Sequence, residues 1–216
     1  RLQREQRGRH PLSIKSGHGI NIFPSSAAVM ARIRDRSQRR NLEKIVFGID
    51  SFEDVFPSGS LLRSDTIVID GPTNTFKSIL ALGFVSQREA MELPVTAKVG
   101  LYVGTRDAIE KAKELIYKYG FYSEGRLGED RQHVDFVDIA TGFVQPGYII
   151  NKIDDYYVHY QRRGIVVSRI VIDDIVSWEQ ACPFVESDET FGETLVNYLR
   201  THAAVPLLVL NSAQQR

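Results

Sequence analysis

Eight residues, Gly71-Pro72-Thr73-Asn74-Thr75-Phe76-Lys77-Ser78, have the types and spacing that phosphate chemistry requires. Against the pattern G-x-x-x-x-G-K-[ST], the first glycine, the lysine and the serine fall at the right positions. In such a loop, successive backbone N–H groups and a helix N-terminus wrap phosphate oxygens. Lys77 would reach the β- and γ-phosphates, and the Ser78 hydroxyl would enter a magnesium shell. Phe76 stands where the pattern has its second glycine. A ring of that size does not fit inside a phosphate nest. It is therefore expected to point outward, toward the sheet or a base-side surface, on a backbone conformation open to a non-glycine residue.

A second candidate is Arg169-Ile170-Val171-Ile172-Asp173-Asp174, a buried-strand run that ends in carboxylates. An aspartate at the carboxyl end of a strand beside the phosphate-loop strand is where Mg²⁺ or its water needs an anion. Either aspartate could instead cap the strand or neutralise an arginine. With Lys77 and Ser78 upstream, Asp173 is assigned to the metal side together with Ser78, and Asp174 stays open.

These residues need elements to hold them. Residues 66–70 form a short apolar run into the loop, and Ile79, Leu80, Gly83 and Phe84 follow it with helical spacing. A second strand is expected over 98–103. An amphipathic helix follows over 108–119, with Ala108, Ala112, Leu115, Ile116 and Tyr119 on its apolar face and Gly120 closing it. Residues 133–139 alternate, which suits a strand near a sheet edge. Residues 147–162 space Ile149, Ile150, Ile153, Tyr157 and Tyr160 as a helix, stopped by Gly164 before a strand over 165–175. Thr190 and Glu193 read as a capping box for a helix through Leu195, Val196 and Leu199. A fifth strand spans 205–210. Strands that are near-continuous apolar runs are buried on both faces, so the fold class is α/β, a mostly parallel sheet with helices on both sides.

Composition bounds the rest. The 216 residues carry 27 Lys+Arg and 27 Asp+Glu, but this neutrality is uneven. Residues 1–40 hold ten basic and two acidic residues, a net +8, which leaves 17 against 25, a net −8, for residues 41–216. Residues 1–40 thus read as a basic extension or linker. Within it, residues 10–24 form a small hairpin or edge strand, and Ser25 and Ser26 could cap a short helix over 27–36. The single Cys182 excludes an internal disulfide framework, and without paired-Cys spacing a structural zinc is not expected. No run approaches the roughly 18 apolar residues of a membrane span, and no leader is recognisable, which leaves the cytoplasm by elimination.

The segment Phe47-Gly48-Ile49-Asp50-Ser51-Phe52-Glu53-Asp54-Val55-Phe56, followed by Pro57-Ser58-Gly59-Ser60-Leu61-Leu62, resembles the lead-in of RecA-like P-loop ATPases of the KaiC type. The likeness continues through residues 71–78, Leu101-Tyr102-Val103 and 169–173, and covers roughly 41–211. It implies a three-layer RecA-like core that binds ATP and Mg²⁺ through Gly71, Pro72, Thr73, Asn74, Thr75, Phe76, Lys77, Ser78 and Asp173. It also implies a homo-oligomer, up to a hexameric ring, with nucleotide between neighbours. Residues 10–24 resemble the segment that closes a preceding module, and the family adds strands after residue 211. Both features suggest an excerpt of a longer protein.

The resemblance departs at Leu101-Tyr102-Val103-Gly104-Thr105-Arg106-Asp107. The family commonly carries two glutamates there, one of which activates the attacking water. Arg106 cannot act as a base. Asp107 could polarise water with a shorter reach, or could simply cap the helix that follows. Lys77 and Asp107 are therefore the catalytic candidates for a slow hydrolysis. Asn211 and Ser212 stand where RecA-like folds place a polar sensor. Trp178, Cys182 and Phe184 sit in an acidic loop where such folds meet a neighbour, and Tyr148, Tyr156, Tyr157 and Tyr160 read as packing or an interface. The five histidines read as structural or surface residues. Three functions remain open: an ATP-driven assembly or signalling switch, a DNA-associated motor or loader using the basic extension, and a catalytically inactive scaffold.

Overall fold

Residues that alternate between two apolar environments make a strand that must be covered twice, and this is how the central strands are built. The computed structural model describes residues 12–15, 19–22, 44–48, 61–87, 98–121, 133–142, 144–186, 190–202 and 204–211, with Ser25, Ala28, Val29 and Val55. Five strands form one sheet: β5 (Ile67–Gly71), β6 (Lys98–Gly104), β7 (His133–Asp138), β8 (Val166–Asp173) and β9 (Val205–Asn211). Their order is β5-β9-β8-β6-β7, and every pairing is parallel. The alternating strand β7 lies at an edge, as its pattern predicts. Two antiparallel ribbons complete the described strands. They are β1 (Leu12–Lys15) with β2 (Gly19–Ile22), the hairpin expected in the basic extension, and β3 (Lys44–Ile45) with β4 (Leu61–Leu62).

Helices α1 (Lys77–Ser86) and α2 (Arg106–Lys118) pack on one face of the sheet. Helices α3 (Pro146–Gln161), α4 (Ile175–Ala181) and α6 (Phe191–Arg200) cover the other, with the short α5 (Pro183–Glu186) against α4. Along β6, Leu101 and Val103 join the core under α3 while Tyr102 joins the core under α1; along β8, Ile170 and Ile172 separate from Val171 in the same way. The period of two therefore serves two apolar layers, which is why the sequence reads as an unbroken run. Chain connections leave β6 on one face and β8 on the other. The crevice outside the carboxyl ends of these neighbours is where doubly wound sheets bind ligands.

Four local expectations change. The strand of β5 does not lie beside that of Asp173, because β9 is inserted between them. The strand expected over 165–175 stops at Asp173, since the Asp174 carboxylate accepts from the Ser177 N–H and starts α4. The loop expected around Trp178, Cys182 and Phe184 is instead α4 and α5, with Trp178 fully buried. Thr190 stands at the N-cap of α6 but makes no side-chain cap bond; its backbone (φ −96°, ψ −5°) is near-helical, not the extended form that aims a capping hydroxyl. Ser25 does accept from the Ala28 N–H at 3.3 Å, and Val29 is buried in the core under α3. Ser26, the rest of the helix over 27–36, the arginines of residues 32–40, most of the lead-in over 49–60, Asp188, Glu189 and Ser212 lie outside the described residues.

One buried cation fixes how α1 sits. Arg169 on β8 is fully buried, and its guanidinium donates to the carbonyls of Val46 (2.7 Å), Phe47 (3.1 Å) and Phe84 (3.0 Å). It also lies 4.6 Å from the centre of the Phe84 ring. A cation at the last-turn carbonyl of α1 is favoured by the helix dipole as well as by the bond. Arg169→Met would strip these carbonyls of a charged donor while leaving them buried. The expected loss is about 3 kcal/mol in unfolding free energy by urea titration, and a loss below about 0.5 kcal/mol would contradict the role.

Candidate functional site

The loop between β5 and α1 folds around its own lysine. Lys77 is buried, and its ammonium donates to the Gly71 carbonyl at 2.6 Å, to the Pro72 carbonyl, and to the Thr75 hydroxyl at 3.3 Å. The Thr75 hydroxyl donates in turn to the Pro72 carbonyl at 2.7 Å. A side chain at Gly71 would meet the Thr75 hydroxyl at 3.3 Å, so the glycine leaves room for this closure. Asn74 (φ 67°) and Phe76 (φ 61°) both adopt the left-handed conformation. Phe76 thus reproduces the backbone shape that a glycine takes without strain, at about 1–2 kcal/mol. Its ring projects 70% exposed into solvent, outward as expected but not against the sheet. No side chain caps α1 and its first turn carries no acidic residue, so its N-terminal N–H groups keep their attraction for an anion.

Across the sheet, β8 delivers Asp173 to the same place. The Ser78 hydroxyl donates to Asp173 Oδ2 at 2.9 Å, and the Tyr102 hydroxyl donates to the same oxygen. The parity that turns Val171 toward α1 turns Asp173 and Tyr102 the same way. Gly104 permits the approach, since a Cβ there would stand 2.6 Å from the Asp173 carbonyl oxygen. Asp174 points its carboxylate at the Ser177 N–H and the Asn211 side-chain amide, so it works as a helix cap and strand-end acceptor. Burial pushes the Asp173 carboxyl above its ordinary range. The hydrogen bonds from Tyr102 and Ser78 oppose that rise, Asp174 adds to it, and Lys111 opposes it. Burial, then the Asp173 charge, drives the Tyr102 phenol well above its usual value, so it stays a donor.

Asp107 lies in the first turn of α2, exposed, and lines the cleft with the loop residues. The helix is capped by Thr105, whose hydroxyl accepts from the Ala108 N–H at 3.5 Å, so Asp107 is not the cap. Arg106 is paired with Asp138 at 3.4 Å and is not among the cleft-lining residues. The cleft has a volume of about 890 Å³ and is lined by residues 73–79, by α2 and Tyr119 after it, and by Asp173, Asp174 and Asn211. The structure therefore brings together Thr73, Asn74, Thr75, Phe76, Lys77, Ser78, Asp107 and Asp173, with Gly71 and Pro72 behind them as acceptors for Lys77.

Two residues of the candidate site carry no signal of their own in the sequence. Tyr102 stands out only as part of the run Leu101-Tyr102-Val103, with nothing to mark its hydroxyl as a partner for Asp173, and Lys111 is one of many charges on an exposed helix face. The histidines are structural or exposed where described: the His202 ring packs at a tilt against Tyr157 and Tyr198, with ring centres 4.4 Å and 4.5 Å away, while His133 and His159 are exposed. Among the described residues no three His, Cys, Asp or Glu side chains gather as a metal cage. A cation held by Ser78 and Asp173 would need oxygens from elsewhere, which is how Mg²⁺ sits on phosphates and water. Among the described residues no helix is long and apolar enough to cross a membrane. A scan against family models finds no match to the chain, and no curated protein matches its sequence. The architecture is that of a general Rossmann or P-loop-type α/β fold.

With its folded-state pKa above the unfolded one, Asp173 contributes stability that is fully present below about pH 4 and lost as pH rises through the folded value. In metal-free protein, Asp173→Asn should then be more stable than wild type at pH 7. Thermal melts should show that advantage vanishing below about pH 4. A variant less stable at pH 7 would show that burial does not dominate.

Proposed function

We propose that the chain binds Mg-ATP in the cleft between the loop of residues 71–78 and α2, and that binding, with slow hydrolysis, controls assembly or signalling. The observation that carries this reading is the Ser78 hydroxyl on the Asp173 carboxylate, 2.9 Å apart beside a loop closed over a buried lysine. A hydroxyl and a carboxylate so placed suit a hard, oxygen-seeking cation. When bound, Mg²⁺ would neutralise phosphate charge. The chain's own residues do the rest. Loop N–H groups and the start of α1 orient phosphate oxygens, and Lys77 exchanges its loop carbonyls for them. Tyr102 holds Asp173 in place.

Slow turnover rests on Asp107, the α2 carboxylate that lines the cleft. Its side chain is one methylene shorter than glutamate, and a misplacement of about 1 Å costs on the order of 100-fold. Likeness to RecA-like ATPases of the KaiC type favours a homo-oligomer and a neighbouring module as partners. The basic residues of 1–40 favour the alternative of a DNA-associated motor or loader. Mg-ATP titration by calorimetry should give measurable affinity for wild type and at least about tenfold weaker binding for Lys77→Ala. No binding by wild type contradicts the proposal. Where ATP binds, Asp107→Asn should lower turnover by about tenfold or more while leaving affinity nearly unchanged, and unaltered turnover removes Asp107 from the chemistry.

A further inference from the structure

Charge in the cleft is unbalanced for a triphosphate. Three carboxylates, Asp107, Asp173 and Asp174, line it. A triphosphate brings more negative charge than its magnesium cancels. Lys77 answers from the floor of the loop, tied to Gly71, Pro72 and Thr75. Arg106, the residue before Asp107, is engaged with Asp138 and does not line the cleft. Among the described residues, the other cation lining this space is Lys111, one helical turn beyond Asp107 on the same face of α2. Its side chain is exposed, and among the described residues its ammonium makes no hydrogen bond or ion pair, so it is available to swing on a four-carbon stem.

We propose that Lys111 is a second cation for the terminal phosphate, making the cleft select nucleoside triphosphates over diphosphates. The inference rests on the nucleotide reading above and extends it to a residue of α2. The geometry divides the labour. Lys77 and the loop N–H groups grip the phosphates that both nucleotides share. The Asp107–Lys111 face of α2 meets the end of the chain that only the triphosphate has. A flexible ammonium on the exposed face of α2 contributes little to folding, so its removal reports on the ligand and not on stability.

Calorimetric titration of the full chain with Mg-ATP and with Mg-ADP, in wild type, Lys111→Ala, Lys111→Arg and Arg106→Ala, tests this. Lys111→Ala should weaken Mg-ATP about tenfold, equivalent to ~1.4 kcal/mol, and leave Mg-ADP within about twofold. Lys111→Arg should recover most of the loss, and Arg106→Ala should leave the ATP-to-ADP ratio unchanged. Equal weakening of both nucleotides, or no change in either, overturns the role of Lys111 while leaving nucleotide binding intact. A wild-type chain that binds neither nucleotide overturns the nucleotide reading and this inference with it.

Discussion

The contact between the Ser78 hydroxyl and the Asp173 carboxylate, 95 residues apart in sequence, depends on nearly every other feature of the fold. The strand that precedes Ser78 and the strand that ends in Asp173 are separated by β9, so the contact cannot come from neighbouring strands. It forms because α1 crosses the sheet over β8. Two residues of β8, four apart and therefore on one face, hold that helix: Asp173 at its start and Arg169 at the carbonyl of Phe84. Ser78 and Phe84 are about 9 Å apart along a helix axis, and the two β8 residues about 13 Å apart along a strand. The lengths are close enough for side chains to span the difference, so α1 cannot slide without breaking one grip.

The same arrangement concentrates strain and burial in one cleft. Asp173 is held in an environment that disfavours its charge, and Phe76 adopts a conformation that glycine would take freely. Lys77 satisfies its ammonium with loop carbonyls. Such arrangements are disfavoured in isolation and are typical of sites prepared for a partner of complementary charge. A magnesium-bound phosphate would supply the cation for Asp173 and the anion for Lys77 together. That pairing links the local physics to the proposed function more closely than any single residue does.

Much of this was legible in the sequence. The loop stood out because its spacing is local, and the sheet because two-sided burial writes continuous apolar runs. The edge position of β7 followed from its alternation. The rest depends on partners far away in the chain. The insertion of β9 between β5 and β8 is a matter of strand order, which no window of residues encodes. Ile175, apolar and β-branched just past the two aspartates, looked like the last residue of the strand, but Asp174 could accept the Ser177 N–H and begin α4. Thr190 and Glu193 matched a capping pattern, yet the Thr190 backbone takes a near-helical form that does not aim its hydroxyl at the helix. Tyr102 and Arg169 took their meaning from atoms 71 and 122 residues away.

The central claim, that one site is built from the loop and the end of β8 together, is most directly tested by mapping backbone amide NMR shifts on addition of Mg-ATP. The account predicts large, saturable changes at residues 71–78 and at Asp173 and Asp174, with far smaller ones along α3. Shifts absent from the loop, or loop shifts with Asp173 unmoved, would contradict it.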